Sequence, residues 1–257
     1  MHPSIDAPLH QWLEYIESIH PVEIELGLAR LEAVAHRLNV LSPQSVVFTV
    51  AGTNGKGTTT AVLSSLAMQA GQTVGWYSSP HLFSFNERIR INGEPVADQD
   101  LVAAFWSVEQ AREEISLSYF EFTTLAAFYV FAERELDVWV LEVGLGGRLD
   151  AVNIIDPDVA IVTNVGLDHQ GFLGDTVELI AREKAGISRS GRPLVLGSLE
   201  LPITLFEAAQ EIGADVYRLG RHFTAENSRL SWSGGSVCND NLSVPDANAV
   251  AAIQAFS

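Results

Sequence analysis

Apolar residues along this chain recur at two spacings, and the switching between them predicts alternating helices and strands. Trp12, Tyr15, Ile16 and Ile19 share one face of a helix that His20-Pro21 ends, since proline cannot continue the hydrogen-bond ladder. Leu28, Leu31, Val34, Ala35 and Leu38 predict a second amphipathic helix closing near Asn39. The unbroken run Val46 to Ala51 reads as a buried strand, and Ala61, Val62, Leu63, Leu66 and Ala67 as a helix ending at Gly71. Strands are predicted over Thr73 to Tyr77, Val138 to Val143, Val159 to Thr163 and Pro193 to Gly197, with a small hairpin turning at Asn92-Gly93. Helices are predicted from a cap at Asp98 through Val108, then over Phe122 to Glu133, Thr176 to Ala185 and Pro202 to Ile212. Asp215 to Val244 is polar and strand-like, with a turn in Ser231 to Gly235, and Asp246 opens a last apolar stretch.

Strands that alternate with helices imply an α/β fold: a doubly wound, mostly parallel sheet covered on both faces, with a small β-rich segment near the C-terminus. Ligands of such sheets sit outside the carboxyl ends of the strands. The loops carrying Gly52, Ser79, Glu142 and His169 all leave strands at that end, so the fold alone draws them to one crevice. There is no internal repeat, and no proline- or serine-rich linker before residue 215.

Composition narrows the partners. The 257 residues suit one large α/β domain, or one with an appendage. With 15 Lys+Arg against 32 Asp+Glu the net charge is -17, which argues against nucleic acid and against an anionic membrane surface. Cys238 is the single cysteine, so no intrachain disulfide forms and a reducing compartment is expected. The N-terminus lacks a basic region followed by an apolar core, and no apolar run reaches spanning length; a cytoplasmic protein is expected.

An acidic body must focus positive charge locally to hold an anion, and Gly52-Thr53-Asn54-Gly55-Lys56-Gly57-Thr58, between strand and helix, does so. Glycines let backbone N–H groups converge on a phosphate, the helix N-terminus adds partial positive charge, and Lys56 reaches the terminal phosphates of a nucleotide. The pattern departs from a standard Walker A: Val50 stands where its first glycine falls, and Gly57 follows the lysine, delaying the hydroxyl to Thr58. The plainer alternative is a glycine-rich turn without ligand, which needs neither the lysine nor the hydroxyls. Glu142 ends an apolar strand, where a carboxylate is costly unless it meets a cation; a Mg²⁺ ion and an ion pair with Arg148 are the two options. Ser79 offers a second oxygen, although serine before proline is ordinarily a turn residue, and His169 beside Asp168 offers a nitrogen. Taken alone, Lys184 reads as part of a solvated helix face and Tyr119-Phe120-Glu121-Phe122 as core.

Together and in order, the phosphate loop, Ser78-Ser79-Pro80-His81-Leu82, Glu142 to Asp150, Leu167-Asp168-His169 and Arg182 to Ile187 closely resemble the bacterial folylpolyglutamate synthase/dihydrofolate synthase family of the Mur ligase superfamily. The resemblance implies an ATP-dependent amide ligase that joins L-glutamate to dihydropteroate and reduced folates through an acyl phosphate. By position it implies that Gly52, Thr53, Asn54, Gly55, Lys56, Gly57 and Thr58 hold ATP, with Asn248 near the adenine. Ser79, Glu142 and His169 fall at two magnesium sites, and Lys184 at the position of a carbamylated lysine; Lys56, His169 and Lys184 are the catalytic candidates. The pterin pocket is expected from Ser18, Ile19, His20 and Pro21, from Ser118, Tyr119, Phe120 and Glu121, and from Leu149, Asp150 and Ala151. Residues 1–257 then read as one monomeric ATP-binding domain including the N-terminal helices of 8–40, with a C-terminal glutamate-binding domain absent from the chain. Two alternatives are a Mur-type ligase acting on a cell-wall precursor, and a MgATP-binding module without catalysis.

Overall fold

The computed structural model describes residues 2–21, 26–239 and 243–257. Helices α1 (Leu9–Ser18) and α2 (Ala29–Leu38) come first, followed by β1 (Val46–Ala51), α3 (Lys56–Gln69) and β2 (Val74–Tyr77). A 3-10 turn at Phe85–Arg88 leads into β3 (Ile89–Ile91) and β4 (Glu94–Pro95), then α4 (Asp98–Arg112), α5 (Tyr119–Glu133) and β5 (Val138–Glu142). Past a second 3-10 turn lie β6 (Val159–Val162), α6 (Gln170–Leu173), α7 (Val177–Ala185), β7 (Pro193–Leu196), α8 (Ile203–Ile212) and β8 (Asp215–Arg218). The chain ends in β9 (Thr224–Glu226), β10 (Arg229–Trp232), β11 (Gly235–Cys238) and α9 (Asp246–Phe256).

The main sheet has eight strands in the order β4-β3-β2-β5-β1-β6-β7-β8, parallel from β2 to β8 with an antiparallel hairpin at one edge. Period-two alternation sorts its side chains between two cores. Trp139, Leu141, Ala160, Val162, Leu194 and Leu196 face α1, α2, α4, α5, α7 and α8. Phe48, Val50, Val138, Val140, Ile161 and Val195 face α3, α9 and the small sheet β11-β10-β9. Because β1 lies between β5 and β6, the loops after all three strands open into one crevice, as the reading of the sequence expects.

Some boundaries differ, for local reasons. Helix α5 starts at Tyr119, three residues before the predicted Phe122, because Ser118 and Glu121 form a reciprocal capping box. Asp98 does not cap α4; it is the first helical residue after Ala97, and its carboxylate accepts from Asn86 Nδ2 at 2.9 Å. The first strand of the polar C-terminal stretch, β8, extends the main sheet on β7, and only the next three form the separate small sheet.

Candidate active site

The glycines of the loop after β1 are there for close approach. Gly52 (φ +155°) leaves no room for a side chain, since a Cβ would stand 1.8 Å from Thr163 Oγ1. Gly55 (φ +82°) precedes α3 in the left-handed region, where a Cβ would meet Asn248 Nδ2 at 2.5 Å. Loop 163–166 clamps the turn from outside. Asn164 Oδ1 accepts from the Thr53 N–H (3.2 Å) and the Asn54 N–H (2.9 Å), Thr163 Oγ1 donates to Asn54 O (2.6 Å), and the Gly166 N–H donates to Thr53 Oγ1 (2.9 Å). The N–H groups opening α3 have no partner within the helix, which leaves them for an anion. Lys56 Nζ folds over the turn onto Gly52 O (2.9 Å) and Thr53 O (3.3 Å). Asn248, on α9, donates to Gly55 O (3.2 Å) and Thr59 Oγ1 (3.0 Å), so it braces the start of α3.

Glu142 ends β5 beside this loop and is 5% exposed. Burial raises its pKa to about 7, partly offset by the charge of Lys56 and by the N–H of Ser79. Arg148 is not its partner: the guanidinium pairs with Glu183 at 2.7 Å. Thus Glu142 is a buried carboxylate without an ion pair among the described residues, a state that a bound cation would relieve.

Loop 144–150 lies flat against α7, because a Cβ on Gly147 would stand 2.5 Å from Glu183 O. That contact overturns the expected solvated face of α7. Lys184 is 2% exposed, and burial, then the like charge of Lys56, lowers its pKa to about 8 against opposing contributions from Asp168 and Asp150. Asp150 is buried too; burial raises its pKa to about 6, while N–H groups of Leu145 (2.8 Å) and Val152 (3.0 Å) hold its carboxylate. His169, in left-handed backbone, lies 3.6 Å from Asp168 and is half exposed.

A cleft of about 790 Å³ opens beside these groups. Nine of the eleven residues expected for a pterin pocket line it: His20, Pro21, Ser118, Tyr119, Phe120, Glu121, Leu149, Asp150 and Ala151. Ser18 and Ile19 do not; their Oγ and carbonyl are engaged with Tyr15 O and Ser116 Oγ behind the wall. Tyr119 and Phe120 form the wall, whereas Phe122 is core and Glu121 is tied to Arg30 at 3.0 Å. Ser79 and His169 also line the cleft. Sequence reasoning missed Glu17, His81, Arg88 and Leu145 in it: Arg88 precedes an edge hairpin with no motif around it, and only the fold carries it to the cleft.

Fold and site define a class: a phosphate-loop α/β nucleotide-binding domain with a half-apolar cleft beside its lysine. Residues 50–226 match the Mur ligase middle domain, and the chain belongs to that family. It is 48% identical over 259 residues to the dihydrofolate synthase/folylpolyglutamate synthase of Escherichia coli, covering 99% of this chain and 61% of that protein. The Bacillus subtilis protein of that name is 38% identical over 202 residues, covering 76% and 46%. Among solved structures, Escherichia coli FolC in complex with DHPP and ADP superposes with a TM-score of 0.95 at 48% identity, covering 99% of this chain and 63% of that one. The bifunctional synthase of Yersinia pestis with AMPPNP and Mn gives 0.94 at 43%, covering 100% and 63%. The chain therefore spans about three fifths of the length of the Escherichia coli and Yersinia pestis relatives.

Proposed function

We propose that the chain carries the ATP and pterin sites of a ligase that adds L-glutamate to dihydropteroate and to reduced folates. One observation supports this most: the charge of Lys56 acts on three buried groups on separate segments, Glu142, Asp150 and Lys184, and of these Asp150 lines the aromatic-walled cleft. A carboxylate is a poor electrophile. Transfer of the γ-phosphoryl group of ATP onto a substrate carboxylate oxygen, with ADP leaving, gives a mixed anhydride. The amine of L-glutamate then adds to the acyl carbon, loses a proton, and phosphate departs with its C–O electron pair.

Lys56 and the first N–H groups of α3 hold the phosphates, and Tyr119, Phe120 and Asp150 orient the pterin. No three His, Cys, Asp or Glu side chains among the described residues form a metal cluster. Ser79, Glu142 and His169 would hold divalent ions, and the buried Glu142, without an ion pair among the described residues, fits such a charge. Such ions, Mg²⁺ on this reading and at two positions, would offset charge on the phosphates. Lys184, its pKa lowered to about 8, presents a fraction of neutral amine near neutral pH; addition to CO₂ with loss of a proton would make it a carbamate and so an anionic group beside the metal site. On this reading Asn248, which braces the start of α3, stands toward the adenine.

The matched relatives bear names, and one a DHPP complex, consistent with this substrate class. Calorimetric titration of the chain with ATP, with and without Mg²⁺, and with dihydropteroate beside a uridine-nucleotide cell-wall precursor, tests the reading. Magnesium-dependent ATP binding together with uptake of dihydropteroate alone is expected; preference for the uridine nucleotide would redirect it to another Mur-type ligase. The alternative reading, MgATP binding without turnover, would be recognised by the absence of glutamate-dependent phosphate release.

A further inference from the structure

Arg88 is the only arginine or lysine among the described residues that line the cleft. Two other half-buried or buried arginines are spent on carboxylates, Arg30 on Glu121 and Arg112 on Glu109. Arg88 is not. Its Nε donates to His81 Nδ1 at 2.9 Å, and its guanidinium carbon stands 5.6 Å from the Tyr119 ring centre and 5.8 Å from that of Phe85. These contacts fix the plane of the guanidinium and leave its two terminal nitrogens without a hydrogen-bond partner among the described residues. A rigid, half-buried fork with free donors, in a chain of net charge -17, is built to receive a carboxylate.

The carboxylate that is activated must reach Lys56, and the two cations address different regions. The charge of Lys56 acts on Glu142, Asp150 and Lys184, whereas that of Arg88 acts on Tyr77, His81 and Tyr119. A pteroate has one carboxylate, which the reaction consumes. A glutamylated pterin brings another, the α-carboxylate beside the reacting γ-carboxylate. We propose that Arg88 clamps this spare α-carboxylate through its terminal nitrogens and so determines how well the cleft accepts glutamylated pterins relative to dihydropteroate. The assignment rests on the ligase reading above.

The test is calorimetric titration of the 257-residue chain, and of Arg88→Gln and Arg88→Lys, with dihydropteroate and with a reduced folate monoglutamate. Arg88→Gln is expected to weaken the monoglutamate by roughly tenfold or more while dihydropteroate changes by less than about twofold, with Arg88→Lys between, because lysine keeps the charge but not the fork. Equal losses for both ligands, or none for the monoglutamate, would overturn the assignment and make Arg88 part of the wall. Should Arg88→Gln melt early by circular dichroism, the salt dependence of the unsubstituted chain decides. A steeper decline with salt for the monoglutamate supports the clamp, and equal slopes overturn it. Failure of the unsubstituted chain to take up either pterin would sink the ligase reading and this assignment with it, whereas uptake of both with parallel losses sinks the assignment alone.

Discussion

The Cβ that Gly57 lacks would stand 3.6 Å from Oε2 of Glu142. The glycine after the loop lysine therefore faces the buried carboxylate, and it keeps open a space between helix start and strand end that, on the proposed reading, a metal–phosphate group would use. Alanine there meets ordinary van der Waals contact and gains helix propensity, about 0.5–1 kcal/mol in a helix interior. Gly57→Ala is expected to fold with an unchanged or slightly higher melting temperature and to bind MgATP more weakly. A variant with unchanged MgATP affinity would show that the space is not used.

Lys56 Nζ rests on two carbonyls of its own loop, Gly52 O and Thr53 O. Replacing those neutral acceptors by phosphate oxygens turns two hydrogen bonds to neutral carbonyls into ion-paired ones. Lys56→Ala is expected to lower ATP affinity by roughly a hundredfold, since a hydrogen bond to a charged group contributes about 1.5–3 kcal/mol. Unchanged affinity by calorimetry would remove the phosphate-loop assignment.

Asn164 holds the same loop from outside through the Thr53 and Asn54 N–H groups. Asn164→Ala is expected to cost about 1 kcal/mol of stability, because the loop amides are partly exposed and water replaces the lost acceptor. ATP affinity should fall further, by roughly tenfold, as a loosened loop must be ordered on binding. Equal nucleotide affinity in variant and parent would mean that the loop is rigid without the clamp.

The difference between Lys56 and Asn164 marks what the sequence could reveal. Lys56, Glu142 and the strand–loop–helix unit are written locally: an apolar run, glycines and one charged residue at fixed spacing. Asn164, Arg88 and the burial of Lys184 depend on what the fold brings opposite them, more than a hundred residues away for Asn164 and Thr53. Lys184 is the clearest case. Its helical segment has charges on both sides and no local reason to be inside; it is inside because Gly147 lets loop 144–150 lie on the backbone at Glu183. Only the family resemblance pointed to it. The early start of α5 was legible in principle, since Ser118 and Glu121 stand at capping-box spacing, but their expected place in a ligand pocket masked that signal.

Glu142 ties stability to pH in a way that separates a metal-site carboxylate from a structural one. Its pKa rises from 4.5 unfolded to about 7 folded. Between those values the unfolded chain has already lost the proton that the folded chain keeps, so stability falls as pH rises. The penalty is complete above pH 7 and absent well below 4.5; the shift corresponds to about 3 kcal/mol. Glu142→Gln keeps the shape and removes the charge. In chelator, this variant should melt several degrees above the parent at pH 8 and close to it at pH 4.5, where other titrations cancel in the difference. With Mg²⁺ and ATP at pH 8 the order should reverse, because the parent gains ligand binding that the amide cannot support. Thermal melts at the two pH values decide it: an equal gap at both would mean that Glu142 is not desolvated in the folded chain, and a parent no more stabilised than the variant by MgATP would return it to a purely structural role.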